Sequence, residues 1–157
     1  MERRFQGPDI SMWRYESVRR SHQGIHFNAS AEACDTLLHL LRELSAATGE
    51  VHRTIPLKPL DPKLDPTGFN AHLLTYAALR LEVVDPDDEI RQMNASTEGD
   101  RVTIRITRPF VPELVDALEN VRQGGGDFGL GPTGKRRELG PRDRDSDTLV
   151  FWWQRRR

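Results

Sequence analysis

The chain has 157 residues, 36% of them hydrophobic and 30% charged, enough for one domain but too polar for every segment to pack. No apolar run approaches the ~18 residues of a membrane-spanning helix, and the single cysteine, Cys34, excludes an internal disulfide or a cysteine-based zinc site. The formal charge of −1 conceals an asymmetry: residues 1–22 sum to +2, residues 135–157 to +4, and the body between them to −7.

Residues 1–22 show neither helical nor strand periodicity and read as a disordered segment. They lack the apolar stretch of a secretory signal, which with the lone cysteine implies a reducing, cytoplasmic setting; the Asn28-Ala-Ser30 and Asn94-Ala-Ser96 sequons are then chance matches. Ile25 and Phe27 alternate with His26 and Asn28, a short strand. Ser30 follows as an N-cap, Ala33, Leu37, Leu40, Leu41 and Leu44 keep helical spacing, and Gly49 closes the run. Val51 to Leu57 reads as a strand at or near a sheet edge because of Pro56, and three prolines make 58–68 a stiff loop.

Leu79, Leu81 and Val83 alternate with Arg80 and Glu82, a strand with one polar face. Residues 90–97 and 101–107 form a hairpin through Glu98-Gly99-Asp100, the second arm turning Val102, Ile104 and Ile106 inward. Pro112 opens a second helix whose stripe is Phe110, Leu114, Ala117, Leu118 and Val121, stopped by Gly124-Gly125-Gly126. Residues 132–147 read as a flexible loop, Leu149 to Trp153 as a final strand, and 154–157 as a basic tail. Strand, polar turn and helix recur at Ile25–Leu41 and Ile104–Leu118, which is either a degenerate duplication or a common order of elements met twice. The expected architecture is α+β: a two-layer sandwich, a mainly antiparallel sheet of five to six strands with two helices on one face, in a single domain over 23–153.

The chemical motifs fail one by one. Gly129 to Lys135 has phosphate-loop spacing, but Arg136 stands where Ser or Thr should bind magnesium and no strand precedes the loop. Asp127-Phe128-Gly129 has no catalytic loop to accompany it, and Asp143, Asp145 and Asp147 begin a calcium loop that Thr148 and Gln154 do not complete. The histidines, His22, His26, His39, His52 and His72, share no helical face and read as structural rather than metal-binding; Cys34 in an amphipathic helix reads as buried filler. No cofactor or metal is expected.

Two features remain. A polar sheet face carrying Arg53, Arg80, Arg101 and Arg105 suits carboxylate or phosphate partners, against the alternative of a plain solvated face with Glu82 pairing one of them. The aromatic run at 151–153 places Trp152 opposite Phe151 and Trp153, so Trp152 marks an interface unless both sides of that strand are covered. The sequence therefore favours a small non-enzymatic binding protein, with a protein partner or a second copy of itself, and no membrane. One alternative is an enzyme with His26, His52 and Glu82 meeting on adjacent strands. The other is nucleic-acid binding through the basic ends, disfavoured because the charge does not lie on the fold.

Overall fold

The computed structural model describes residues 6–16, 24–61, 63, 73–86, 89–126, 128–131 and 148–152. Outside them lie the loop at 132–147 with its lysine and aspartates, the tail at 154–157, Asp127, His22, His72 and Trp153.

The α+β expectation is met: the described residues form two helices and two mixed sheets, of five and four strands, in place of one mainly antiparallel sheet. Helix α1, Ala31–Ala46, starts where Ser30 Oγ accepts from the Ala33 amide at 3.1 Å, satisfying one of the donors a helix start leaves unpaired. It buries Ala33, Cys34, Leu37, Leu38, Leu41 and Leu44, a stripe at three- and four-residue spacing. Helix α2, Val111–Arg122, buries Val111, Leu114, Ala117, Leu118 and Val121, and follows a 3₁₀ turn at Arg108–Phe110. The chain reverses beyond α2 at Gly124, whose φ of 92° suits a residue without a Cβ.

Among the described residues nine strands share the sheets: β1 (Ile10–Tyr15), β2 (Ile25–Ala29), β3 (Val51–Pro56), β4 (Leu73–Thr75), β5 (Ala78–Val84), β6 (Met93–Glu98), β7 (Arg101–Thr107), β8 (Phe128–Leu130) and β9 (Leu149–Trp152). Their orders are β4-β1-β2-β9-β8 in the five-stranded sheet and β3-β5-β7-β6 in the four-stranded one. β1 corrects the reading of residues 1–22 as disordered: it is a buried strand, antiparallel to both β2 and β4. The inner faces of both sheets and the apolar stripes of both helices close one core, in which Phe151 stacks on Phe128 and meets Phe27 at a tilt.

The two halves of the chain follow one plan. β1 and β2 form an antiparallel pair, α1 follows, and β3 and β5 form a second pair; β6, β7, α2, β8 and β9 repeat this order. Each half then exchanges its second pair with the other. β9 lies parallel to β2, and β5 lies parallel to β7. Strand–turn–helix at Ile25–Leu41 and Ile104–Leu118 corresponds to β2–α1 and β7–α2, equivalent places in this plan. β4, on the free side of β1, is the one described strand without a counterpart.

Arg108 locks the seam between the halves. Its guanidinium donates to the carbonyl oxygens of Leu44 (3.0 Å), Ser45 (2.5 Å) and Gly49 (3.0 Å), and Nε pairs with Asp85 at 2.7 Å. The last carbonyls of α1 thus receive donors from a residue beyond the end of β7. At the opposite helix ends, Arg122 near the end of α2 pairs with Asp35 near the start of α1 at 2.7 Å.

Candidate functional site

Alternation along the strands gives each sheet an outer face directed away from the helices. On the four-stranded sheet this face is polar. One rung across it reads Asn94, Arg105, Glu82, His52, and the next reads Ser96, Thr103, Arg80, Thr54. Glu82 is the pivot, with a side chain only 11% exposed. Its Oε1 accepts from Arg80 Nε at 2.6 Å and its Oε2 from Arg105 Nη1 at 2.8 Å, while Arg105 also reaches Glu50 at 2.9 Å. Burial raises the Glu82 pKa, but the hydrogen bonds from Arg105 and Arg80 outweigh it and hold the carboxyl below its usual value. The same contacts raise the Arg105 pKa.

Of the four arginines read as neighbours, Arg80, Arg101 and Arg105 share this face. Arg53 does not: it stands opposite Leu81, whose side chain is in the core, so its direction is toward the helix side at the exposed edge, where Nη1 bonds the His52 carbonyl at 3.3 Å. Arg53 shares its parity with Val51 and Ile55, which stand opposite the core residues Val83 and Leu79, and this separates it from the other three arginines. Arg101 pairs with Glu98 at 3.3 Å, an exposed ion pair. His52 and Glu82 are cross-strand neighbours, but His26 lies on the other sheet, so the three do not form one cluster. Both Glu82 oxygens are engaged by guanidinium groups, which makes this carboxylate an anchor rather than a carrier of protons.

Trp152 belongs to the outer face of the five-stranded sheet, apart from the arginines. There Trp13, Tyr15, Leu60, Leu73 and Trp152 form a second, smaller apolar cluster. His26 lies within it, fully buried, with its ring stacked at 5.7 Å from Trp13 and 6.0 Å from Trp152 and met edge-on by Tyr15 at 4.8 Å. Trp152 Nε1 donates to His26 Nδ1 at 2.8 Å, which leaves the neutral ring's proton on Nε2. Asn28 Nδ2 donates to the Trp152 carbonyl at 3.1 Å, a second tie between β2 and β9. Ser11 Oγ donates to the Lys58 carbonyl at 2.8 Å, fastening the segment after β3 over this face. Trp152 is therefore partly covered, as the alternative reading of the terminal strand had it. The buried indole N–H of Trp13 has no hydrogen-bond partner among the described residues.

Cys34 is buried in the core, where burial first and the Asp35 charge second push its pKa up to about 12. A thiol so protonated is a packing group, not a nucleophile. Among the described residues no group of three or more His, Cys, Asp and Glu side chains is placed to hold a metal ion, and no helix is long and apolar enough to cross a membrane. No protein-family model, curated protein or solved structure matches the chain.

Proposed function

We propose that this chain is a small non-enzymatic binding protein whose recognition surface is the outer face of the four-stranded sheet. The observation carrying this reading is the Arg80–Glu82–Arg105 bridge, in which one buried carboxylate holds two guanidinium groups in fixed positions on a rigid sheet. Arginine recognises carboxylates and carbonyls through a planar fork of donors, and a fork already immobilised loses little entropy when a partner arrives. Around it Thr54, Ser96, Thr103 and Asn94 offer short uncharged donors and acceptors.

The face balances Arg80, Arg101 and Arg105 against Glu50, Glu82 and Glu98, a mixed pattern suited to a polar protein surface rather than to a polyanion. The test is quantitative capture from native extract, after nuclease treatment, by the wild type and by the double variant Arg101→Glu/Thr103→Glu. A partner bound by the wild type and lost by the variant is the expected result. If no nuclease-resistant partner distinguishes the two proteins, the reading is wrong.

A further inference from the structure

We infer that this chain is a strand-exchanged dimer fused into one polypeptide: two copies of a ββαββ unit, each lending its second hairpin to the other's sheet. The inference is independent of the recognition reading and stands even if the polar face binds nothing.

A shared order of elements is weak evidence by itself, because strand–helix successions are common. The registers are stronger. Setting Phe27 on Ile104 fixes every other strand. Phe27 stands between Met12 and Phe151, and Phe151 is opposite Phe128. Ile104 stands between Ala95 and Leu81, and Leu81 is opposite Arg53. Two residues along, the pair Ala29–Ile10 matches Ile106–Met93, Ile25–Leu149 matches Val102–Leu79, and Leu149–Leu130 matches Leu79–Ile55. A slip of one residue in any of these ladders would have spoiled the agreement by exchanging the faces of a strand.

The match runs on into the helices. From Ile25 to Leu44 the correspondence with Val102 to Val121 needs no insertion or deletion. It sets the buried Cys34, Leu37, Leu41 and Leu44 of α1 on the buried Val111, Leu114, Leu118 and Val121 of α2. One hydrogen bond recurs at the end of the second strand in each unit. The Ser30 amide donates to the Asp9 carbonyl at 3.0 Å, and the Thr107 amide to the Gln92 carbonyl at 3.0 Å. Asp9 and Gln92 each immediately precede the first strand of their unit.

The exchange is visible in the ladders. Among the described residues neither β1 nor β2 pairs with β3 or β5, and neither β6 nor β7 pairs with β8 or β9. Each sheet is completed by a hairpin from the other unit. The join between the units is equally symmetric. Val84 and Met93 face Thr107 and Ile106 on opposite sides of β7, two strand spacings or ~10 Å apart. Trp152 and Ile10 hold the same relation across β2, opposite Asn28 and Ala29. Fusion also accounts for the unlike outer faces, since Asn28 and Trp152 occupy the places of Arg105 and Glu82. A dimer of identical chains would carry the same pair twice.

Two forms of the full chain test this. In the first, a protease recognition sequence inserted between Asp87 and Asp88 is cut after folding. The pieces should stay together, and their melting midpoint should fall by ~5 °C for each tenfold dilution, because unfolding has become dissociation. The midpoint of the uncut protein should not move. In the second, Arg157 is joined to Met1 and the chain is opened between Asp87 and Asp88, with no residue lost. This permuted chain should fold with the mass and the amide-exchange pattern of the wild type. Pieces that part and remain folded singly, or a cut protein whose midpoint ignores dilution, would overturn the exchange. A permuted chain that does not fold would overturn the equivalence of the two joins.

Discussion

The outer faces of the two sheets occupy equivalent places in the plan of the chain and have opposite chemistry. On the five-stranded sheet, Trp13, Tyr15 and Trp152 enclose a buried histidine, and the segment after β3 is fastened across them. On the four-stranded sheet, a largely buried carboxylate is held by two arginines, and the surrounding Asn94, Ser96 and Arg105 remain exposed. Aromatic area on one face is sequestered as a second core, while the other face keeps its polar groups accessible. The difference shows how one backbone arrangement yields a stabilising face and a surface free to meet something else.

The comparison breaks most readily at Trp13. Truncation of this fully buried side chain to alanine should cost ~3–5 kcal/mol in chemical denaturation, and Trp13→Phe far less, because the lost indole N–H had no partner among the described residues. If both variants cost the same, the N–H is satisfied in solution and the account of this face needs revision.

Glu82→Ala comes next, at ~2–3 kcal/mol, since it leaves Arg80 and Arg105 without the group that holds them. Its pH dependence has a definite sign. A carboxyl whose folded pKa lies below its unfolded value stabilises the fold above the unfolded pKa and loses that contribution as pH falls through the folded one. Glu82→Gln should therefore flatten the acid limb of the wild-type stability profile below the ordinary carboxylate range, as thermal melts at successive pH values would reveal.

Trp152→Phe keeps the stacking but removes the donor to His26 Nδ1 and should cost ~1 kcal/mol, visible as a small fall in melting temperature. The smallest effect belongs to Arg101→Ala. Its exposed pair with Glu98 is worth no more than ~0.5 kcal/mol, so a larger loss of stability would mean that the polar face is structural after all.

Both helices and six of the nine strands were legible in the sequence, because their apolar residues keep one period and their caps are explicit. β1 was not: Ile-Ser-Met-Trp-Arg-Tyr carries large side chains at both parities, which is what a strand buried on both faces requires and what an alternation test rejects. β4 and β8 are too short to show any period. The parallel pairs β2–β9 and β5–β7 are long-range choices that local patterns do not encode.

The candidate site divides in the same way. Alternation put Arg80 and Glu82 on one polar face, but His26 looked like the polar side of a half-exposed strand. Its burial depends on two tryptophans, one of them 126 residues away. Arg108 was passed over altogether, because the carbonyls it satisfies belong to a helix about 60 residues earlier, the Leu44 carbonyl being 64 residues back.

The placement of β9 has a consequence for synthesis. β2 sits in the middle of its sheet, and one of its two neighbours contains Trp152, which is 124 residues beyond Asn28. At ribosomal speeds of ~5–20 residues per second, Asn28 precedes Trp152 by roughly 6–25 s. During that interval one side of β2, with Ile25 and Phe27, is an unsatisfied apolar edge on a nascent chain. The sheet around β2 therefore closes only once β9 has been made, and its yield in a cell should depend on whatever shelters that strand while it waits.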